Sequence, residues 1–586
     1  MAEYVIDVAD YKDGEMRKVQ INSSSVLVVK HGARFFVTGC ECTHYQGPLE
    51  KGLLRGNEVM CPWHHAVFDL PAGQRTEPPA LNDLEHYRSV LKGSELTISL
   101  APLNTIEPQG KSSPSDKRQF VIVGGGAAGN AAAEELRRNG FKGKIVMLSE
   151  SGDAPVDRPV LSKDYLAGKA EPGWVPLRKD LAWYRDRDIE IRLNTTVTGI
   201  DTESHMVFLQ EGEPLQYSKL LLATGSVPFR LPVPGAGLSN VYTLRMKNDA
   251  DRIMAAGQAD KRCVIIGASF IGLEAASSLG SRGVRVTVVG IEKIPFDRIL
   301  GEEVGMFFKR LHESNGISFR LETSIQSLVE KDGQAVGVEL KGGEILPADF
   351  VLMGVGVKPA TAFLEKSGFK LNERDKAVLV DETLKTEKPD IYAAGDIALV
   401  GNYRIEHWRV AEQHGILAAR NMLGKKQSTR GHVPFFWTRQ WGHTISYVGY
   451  AGPWEKILWR GDPHAGKFQA LYMTGGRLTA STGCEFEKEQ CAVEFILREK
   501  ITVTETQLND PGFDLVEFAL ESAQRPSGQR PNVHRASIRR LTARTSKKRG
   551  VSVRSGAHNR GSHVAAPGAR FAGRKTANAH HRRKAS

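Results

Sequence analysis

Two cysteines and two histidines recur in a matched spacing. Cys42-Thr43-His44 is followed after 16 residues by Cys61-Pro62-Trp63-His64, which reads C-x-H-x16-C-x-x-H. Each half offers one thiolate and one imidazole, donors that suit a four-coordinate zinc ion. Buried structural Cys and His are the plainer alternative, since a free Cys is often just a small hydrophobe, but two matched halves argue against coincidence. Cys40 and His65 lie beside the pattern, outside it, and read as structural. Six cysteines in 586 residues are too few for a disulfide framework.

A different chemistry is written in glycines. Phe120 to Val123 is a short apolar run that leads into Gly124-Gly125-Gly126-Ala127-Ala128-Gly129 and then a helix-like stretch. In such a strand, turn and helix, Gly124 allows the tight turn and Gly126 lets backbone amides approach a pyrophosphate. Gly129 permits close packing of helix on strand, with the helix N-terminus facing the phosphates. Glu150 follows a second strand, Lys144 to Leu148, roughly 20 residues on, where it can accept from a ribose hydroxyl. The pattern recurs from Val264 to Glu274, with Gly267, Ser269 and Gly272 at the turn; Ser269 stands where the middle glycine is usual. The next strand, Val284 to Val289, ends on Gly290, where NAD-selective proteins usually carry Glu. Glu292 can reach a ribose diol and Lys293 or Arg298 a 2′-phosphate, and the balance leans to NADH. Two such sites in tandem point to a flavin in the first and a nicotinamide in the second, a hydride acceptor beside a hydride donor.

With these residues in view, the segments ECTHYQGPLEKG and CPWHHAVFDLPAGQ resemble Rieske [2Fe–2S] domains. The resemblance implies Cys42 and Cys61 on one iron and His44 and His64 on the other. High-potential Rieske domains brace the two ligand loops with a disulfide; here the position between Cys61 and His64 is Trp63. A ferredoxin-like potential in the lower part of the roughly −150 to +300 mV Rieske span is therefore expected. From about Arg118 to Glu517 the chain resembles the flavoprotein reductases of oxygenase ferredoxins and the apoptosis-inducing-factor-like proteins. The Rieske-bearing subgroup of the latter covers nearly everything but the tail. The segments that carry this are Asp157–Lys163 (DRPVLSK), Leu222–Gly225, Thr243–Arg245, Gly354–Gly356, Ile391–Asp396 and Ile405–Trp408. The resemblance implies FAD, NAD(P)H and a [2Fe–2S] cluster as cofactors. It places Ala128, Arg158, Lys163, Val197, Thr224, Gly225, Arg245, Gly356, Gly395, Asp396 and Trp408 in cofactor binding, with Asp396 on the ribityl chain and Trp437 beside the isoalloxazine. Lys163 and Glu274 correspond to a charged pair near the flavin N5, where a cation favours negative charge on reduced flavin. The dithiol that disulfide reductases of this fold carry is missing: RPVLSK contains no cysteine. Electrons are thus expected to run from NAD(P)H through FAD to the cluster and on to an external acceptor: an oxygenase, a cytochrome, a ferredoxin or a small molecule. The competing expectation is a redox-sensing or signalling flavoprotein of slow turnover.

The elements that must position these groups follow from the pattern. Short runs such as Ser25 to Val29, Arg34 to Thr38 and Leu96 to Leu100, punctuated by Gly and Pro, predict an all-β module over 1–103. Residues 104–117, with Pro108, Gly110 and Pro114, read as a linker. Two α/β dinucleotide-binding domains follow: FAD-binding over 118–245 and 373–430, and NAD(P)-binding over 246–372. An α+β domain over 431–521 completes the multi-domain reductase, and in its relatives this domain can carry a homodimer contact. No run of about 18 apolar residues appears that would cross a bilayer. The N-terminus, with Asp7, Asp10, Asp13 and Glu15, lacks a secretory pattern, so the chain reads as cytoplasmic. The net charge of +12 belongs to the last 65 residues, which hold 17 Lys and Arg and no Asp or Glu, leaving −5 for the rest. That tail, 522–586, is expected to be disordered, either a partner-binding arm or a stretch of foreign reading frame. No specific nucleic-acid partner is expected, because no folded basic face accompanies it.

Overall fold

Strand Ser24–His31 (SSVLVVKH) shows how the N-terminal module forms. Its side chains alternate between two cores: Leu27 and Val29 face the core that holds Cys42 and Cys61, whereas Val26 and Val28 face an outer core with Leu96 and Ile98. In this computed structural model, which describes residues 3–524, the strand sits in a six-stranded antiparallel sheet. The order is Glu3–Asp7, Glu95–Pro102, His86–Lys92, Arg34–Gly39, Ser24–His31, Met16–Ile21. A smaller four-stranded sheet, Leu53–Arg55, Glu58–Met60, Val67–Asp69 and Arg75–Glu77, lies between and after the two ligand loops. All three strands expected from the sequence in this module are present.

The stretch read as a linker is a strap. Asn104 accepts from the His86 amide (2.9 Å) and donates to the Leu84 carbonyl (2.9 Å). Further along, the Glu107 carboxylate takes Trp183 Nε1 (3.0 Å) and Arg187 Nη2 (2.7 Å), and Arg187 Nε donates to the Pro108 carbonyl (2.8 Å).

Two parallel five-stranded sheets follow. The first runs Ile189–Arg192, Lys144–Leu148, Gln119–Val123, Lys219–Leu222, Ile391–Ala393. Its register pairs Val123 with both Leu148 and Leu222, so the strands end together. Gly124, Glu150, Thr224, Gly225, Gly395 and Asp396 consequently share one edge, the carboxyl edge where ligands of such sheets bind. The second sheet, Val241–Tyr242, Phe350–Met353, Arg262–Ile266, Arg285–Val289, Ser318–Arg320, repeats the arrangement. The C-terminal domain is a five-stranded antiparallel sheet from Phe435–Gln440 to Arg477–Cys484, backed by helix Glu487–Arg498.

One correction concerns the tail. Ser522–Gln524 belong to helix Leu515–Gln524. Leu515, Ala519 and Ser522 recur at helical spacing and are all buried, which extends the fold beyond 521. The remainder of the expected disordered segment lies outside the described residues. No helix among the described residues is long and apolar enough to cross a membrane.

The core does not respect the domain boundaries. Leu53, Met60 and Val67 of the N-terminal module join Val433, Phe435, Leu471, Phe495 and Leu515 in a single cluster.

At another domain junction, buried His312 donates from Nε2 to Gln440 (2.7 Å) and accepts at Nδ1 from Trp441 Nε1 (3.3 Å), bridging the second dinucleotide domain and the C-terminal sheet. Burial lowers its pKa from 6.5 to about 4. The unfolded chain therefore binds this proton first as pH falls, and stability from this group is lost between pH 6.5 and 4. The loss is about 3 kcal/mol, with none below. Thermal unfolding of His312→Asn is expected to show a gap to the parent protein that narrows across that window and is flat beyond it.

Candidate functional site

A cavity of about 960 Å³ opens along the carboxyl edge of the first sheet. Its wall takes Gly124, Gly126, Ala128, Glu150, Arg158, Lys163, Val197, Thr224, Gly225, Arg245, Gly395, Asp396 and Trp408 from the first dinucleotide domain. Ser269, Glu274 and Gly356 come from the second, and Trp437 from the C-terminal sheet. Gly129, Gly267 and Gly272 stand behind the wall. A Cβ on Gly129 would lie 1.9 Å from the Gly124 carbonyl oxygen, and one on Gly272 would lie 2.2 Å from that of Gly267. Both helices therefore need glycine to approach their strands. No cysteine lines the cavity.

The wall suits an anionic dinucleotide. Gly126 caps helix Ala127–Arg138, whose first amides face the cavity mouth. Over it lies the Arg158 guanidinium, 3.8 Å from where a Gly126 Cβ would be, and its hydrogen bond goes to Met246 Sδ (3.5 Å) rather than to a carboxylate. Burial, and then Arg245, lower the Arg158 pKa to about 9, the mark of a cation short of an anion. Buried Arg245 Nε and His407 Nδ1 also have no hydrogen-bond partner among the described residues. Asp396 is fixed by Arg245 Nη2 (3.0 Å) and Ser226 Oγ (2.8 Å). These residues fit a flavin dinucleotide. At the second turn, Ser269 explains its own departure from glycine: its hydroxyl accepts from the Gly272 amide (3.1 Å) and donates to the Gly354 carbonyl (2.7 Å), capping helix Phe270–Gly280. Beyond the next strand the Glu292 carboxylate folds back against Gly290, within 3.1 Å of where its Cβ would be.

Lys163 and Glu274 are brought together on the cavity wall. Lys163 leaves helical geometry inside a π-helical turn, Leu161–Tyr165, a kind of turn that often marks functional sites. Its Nζ donates to Glu274 Oε2 (2.9 Å) and the Pro159 carbonyl (3.2 Å). Glu274 also accepts from the Ser162 hydroxyl and, at Oε1, from Thr438 (2.7 Å), so both of its oxygens are engaged.

The four metal-ligand candidates come in two pairs. His44 and His64 face each other with Nδ1 atoms 3.1 Å apart. Burial lowers both imidazoles, His44 to about 3, so they are in the neutral, ligating form. Opposite them, burial raises the Cys42 thiol. Cys61 is equally buried but is lowered by hydrogen bonds from Cys42 and from the Trp63 and His64 amides, which favour a thiolate. A Cβ on Gly47 would sit 2.8 Å from Cys61 Sγ, so only glycine fits there. Among the described residues no three His, Cys, Asp or Glu side chains surround one ion position. Each pair can give two donors to one iron.

Aromatic side chains join the two sites. The His64 ring packs on Trp437 with centroids 4.2 Å apart, and Trp437 lines the cavity. His44 stacks on Tyr45 (3.9 Å, 22°), whose hydroxyl donates to Asp157 beside the first dinucleotide turn. Burial raises Asp157 to about 6 against the pull of the Tyr45 hydrogen bond and Lys163.

A buried ion network clamps this contact. Arg409, fully buried, donates to the carbonyls of Pro78 (3.0 Å) and His65 (3.0 Å), to Glu77 (2.8 Å) and to Glu494 (3.1 Å). Arg498 bonds Glu77 and Glu494 (2.9 Å), and His65 Nδ1 meets Glu494 at 2.6 Å. Burial alone would raise both carboxyls; Arg498 and Arg409 hold Glu77 well below its usual range, and Arg409, His65 and Arg498 do the same for Glu494. His65 itself sits at φ 60, and its left-handed turn folds the second ligand loop back on itself. Cys40 is structural, with Sγ 3.4 Å from the Ser25 carbonyl. Sequence spacing does not mark Arg409 or Glu494. Tyr45 and Asp157 had one signal, their adjacency to His44 and to Arg158.

A model of the Rieske [2Fe-2S] domain matches residues 2–88, one of the pyridine nucleotide-disulphide oxidoreductases matches 118–415, and one of the reductase C-terminal domain matches 435–519. Apoptosis-inducing factor 3 of Mus musculus is 33% identical over 501 residues, 82% of this chain and 82% of its own length. A ferredoxin–NAD(P)+ reductase of Sphingomonas sp. is 32% identical over 411 residues, 69% of this chain and 98% of its own. Among solved structures, the covalent putidaredoxin reductase–putidaredoxin complex aligns with a TM-score of 0.66 at 29% identity, covering 70% of this chain and 99% of the matched one.

Replacing Arg409 with Met takes one of their two shared cations from buried Glu77 and Glu494 and leaves them to Arg498. A loss of about 3–5 kcal/mol is expected, read as a lowered unfolding midpoint. Adding Glu494→Gln should recover part of it, whereas Arg409→Lys should not, because one ammonium cannot span the two carbonyls and two carboxylates.

Proposed function

Because the chain belongs to the pyridine nucleotide-disulphide oxidoreductase family and carries a Rieske [2Fe–2S] domain ahead of it, we propose that it passes electrons from NAD(P)H to its own cluster and on to an external acceptor. It is an FAD-dependent oxidoreductase of the ferredoxin-reductase type, with NAD(P)H, FAD and a [2Fe–2S] cluster as its redox groups. Bound, these groups supply hydride transfer at one end and one-electron transfer at the other. The observation that carries the proposal is the His64–Trp437 contact: a cluster ligand and the cavity wall touch through one indole.

The chain's own residues do the holding. Cys42 and Cys61 would take one iron, His44 and His64 the other. Arg158 and the Gly126 turn would hold the pyrophosphate, Glu150 a ribose and Asp396 the polar chain beside it. Lys163 keeps a fixed cation at the wall, where developing negative charge is favoured. Glu274, saturated by Lys163, Ser162 and Thr438, is a positioning residue for that cation. The Glu292 carboxylate folded over Gly290 supports NADH as the coenzyme, since a 2′-phosphate would meet it at close range.

Rapid mixing with NADH should bleach the flavin and then raise a rhombic Rieske signal in electron paramagnetic resonance. Trp437→Leu should slow appearance of that signal by about tenfold or more, since removing a packed aromatic opens a gap, while flavin reduction survives. A cluster that stays oxidised in the parent protein overturns the proposal, and a long-lived reduced flavin with little turnover would favour redox sensing instead. Steady-state kinetics should show a preference for NADH that Glu292→Gln narrows by about fivefold or more, as loss of one charged hydrogen bond would. A parent protein that prefers NADPH would refute the Glu292 assignment.

A further inference from the structure

The same contact that brings the cluster to the cavity hides one of its two imidazoles, while His44 is half-buried beside Tyr45. His64 is 9% exposed and lies under Trp437. Cys42 and Cys61 are 2% and 1% exposed, and Cys491 Sγ reaches the Cys61 carbonyl (3.7 Å) from the C-terminal domain. An electron that arrives by way of Trp437 must leave elsewhere.

Two side chains offer a way out. Trp63, set between ligands Cys61 and His64, is 41% exposed; its ring centroid is 6.5 Å from that of His64, and it covers Gly47, next to Cys61 Sγ. Trp174, from a separate segment of the first dinucleotide domain, is 46% exposed, with its centroid 6.4 Å from Tyr45, which stacks on His44. These are the only two tryptophans among the large hydrophobic side chains exposed in the described residues, and each stands one ring contact from a cluster ligand or from the ring stacked on it. Exposed tryptophan is apolar area that water disfavours and that protein interfaces use as anchors.

We propose that the face carrying Trp63 and Trp174 is the docking surface of a protein one-electron carrier, and that electrons leave the cluster there. This rests on the electron-transfer reading above. The exposed charges near Trp174 in the chain are of both signs, Lys169 and Glu171, Lys179 and Asp180, and on the cluster module Lys18 is paired with Glu41. The matching face of the carrier is accordingly apolar with no strong field, and binding through it depends weakly on salt. Each NAD(P)H oxidised gives up two electrons and one proton to solution, so two carrier molecules are each reduced by one electron.

The full-length holoprotein, Trp174→Ser and Trp174→Ser/Trp63→Phe would be assayed with cytochrome c as the protein acceptor and ferricyanide as the small one. The cluster signal raised by NADH is recorded in each. The expected result is a KM for cytochrome c raised about fivefold or more in Trp174→Ser, and further in the double variant, as for loss of interface anchors. The cluster signal and ferricyanide turnover stay within about twofold, as for a surface change. Unchanged cytochrome c kinetics in both variants, with the cluster still reduced, overturn the docking surface. Equal slowing with both acceptors overturns it too, because the lesion then lies in the cluster. A change in sedimentation of the variants would give the face to a second copy of the chain, again against the proposal. If NADH fails to reduce the cluster in the parent protein, the electron-transfer reading falls instead.

Discussion

Everything in this molecule that brings two redox sites together hangs on a guanidinium with no access to water. Arg409 reaches two carbonyls of the cluster module, a carboxylate of that module and a carboxylate of the C-terminal helix, from a helix that starts at the cavity wall. A charge so placed would be ruinous without its partners; Glu77 and Glu494 satisfy it, and Arg498 shares both carboxylates. The arrangement has little tolerance: donors on one domain must meet acceptors from two others at once. That exactness of fit fixes where His65, and hence its neighbour His64, stands against Trp437.

The site is assembled by a division of labour between backbone and side chain. Strand register, set by backbone pairing, brings the Gly124 turn, Glu150 and Asp396 to one edge. The approach to the cluster depends on the opposite, side chains reaching across domains: Tyr45 to Asp157, His65 to Glu494, Trp437 to His64. The first is local and robust. The second requires three modules to have folded and docked.

The same division explains what could be read before any coordinates. The motif residues around Gly124 and Gly267 carry their meaning in adjacent positions, because a turn that must approach a phosphate constrains neighbours in the chain. The C-x-H and C-x-x-H halves of the Rieske domain were legible for the same reason, and so were strands such as Lys144–Leu148, where composition and period agree. Arg409 and Glu494 are separated by 85 positions, and either alone reads as an ordinary charged residue on an amphipathic helix. The stretch 104–117 has the composition of a free linker. Only the positions of Trp183 and Arg187 turn it into a strap. The role of Ser522 likewise depended on what Leu515 and Ala519 pack against.

The shared core around Leu53, Met60, Val67 and Phe435 bears on how such a chain arises and persists. A fusion of two genes ordinarily leaves each product able to live alone, with the join as a tether. Here the seam between the modules has become interior, lined by Leu53, Met60 and Val67 on one side and by aliphatic and aromatic side chains on the other. Separating the halves at the strap would leave each with an apolar scar facing water. The fused polypeptide, not the module, is the smallest unit that drift can alter without exposing that seam.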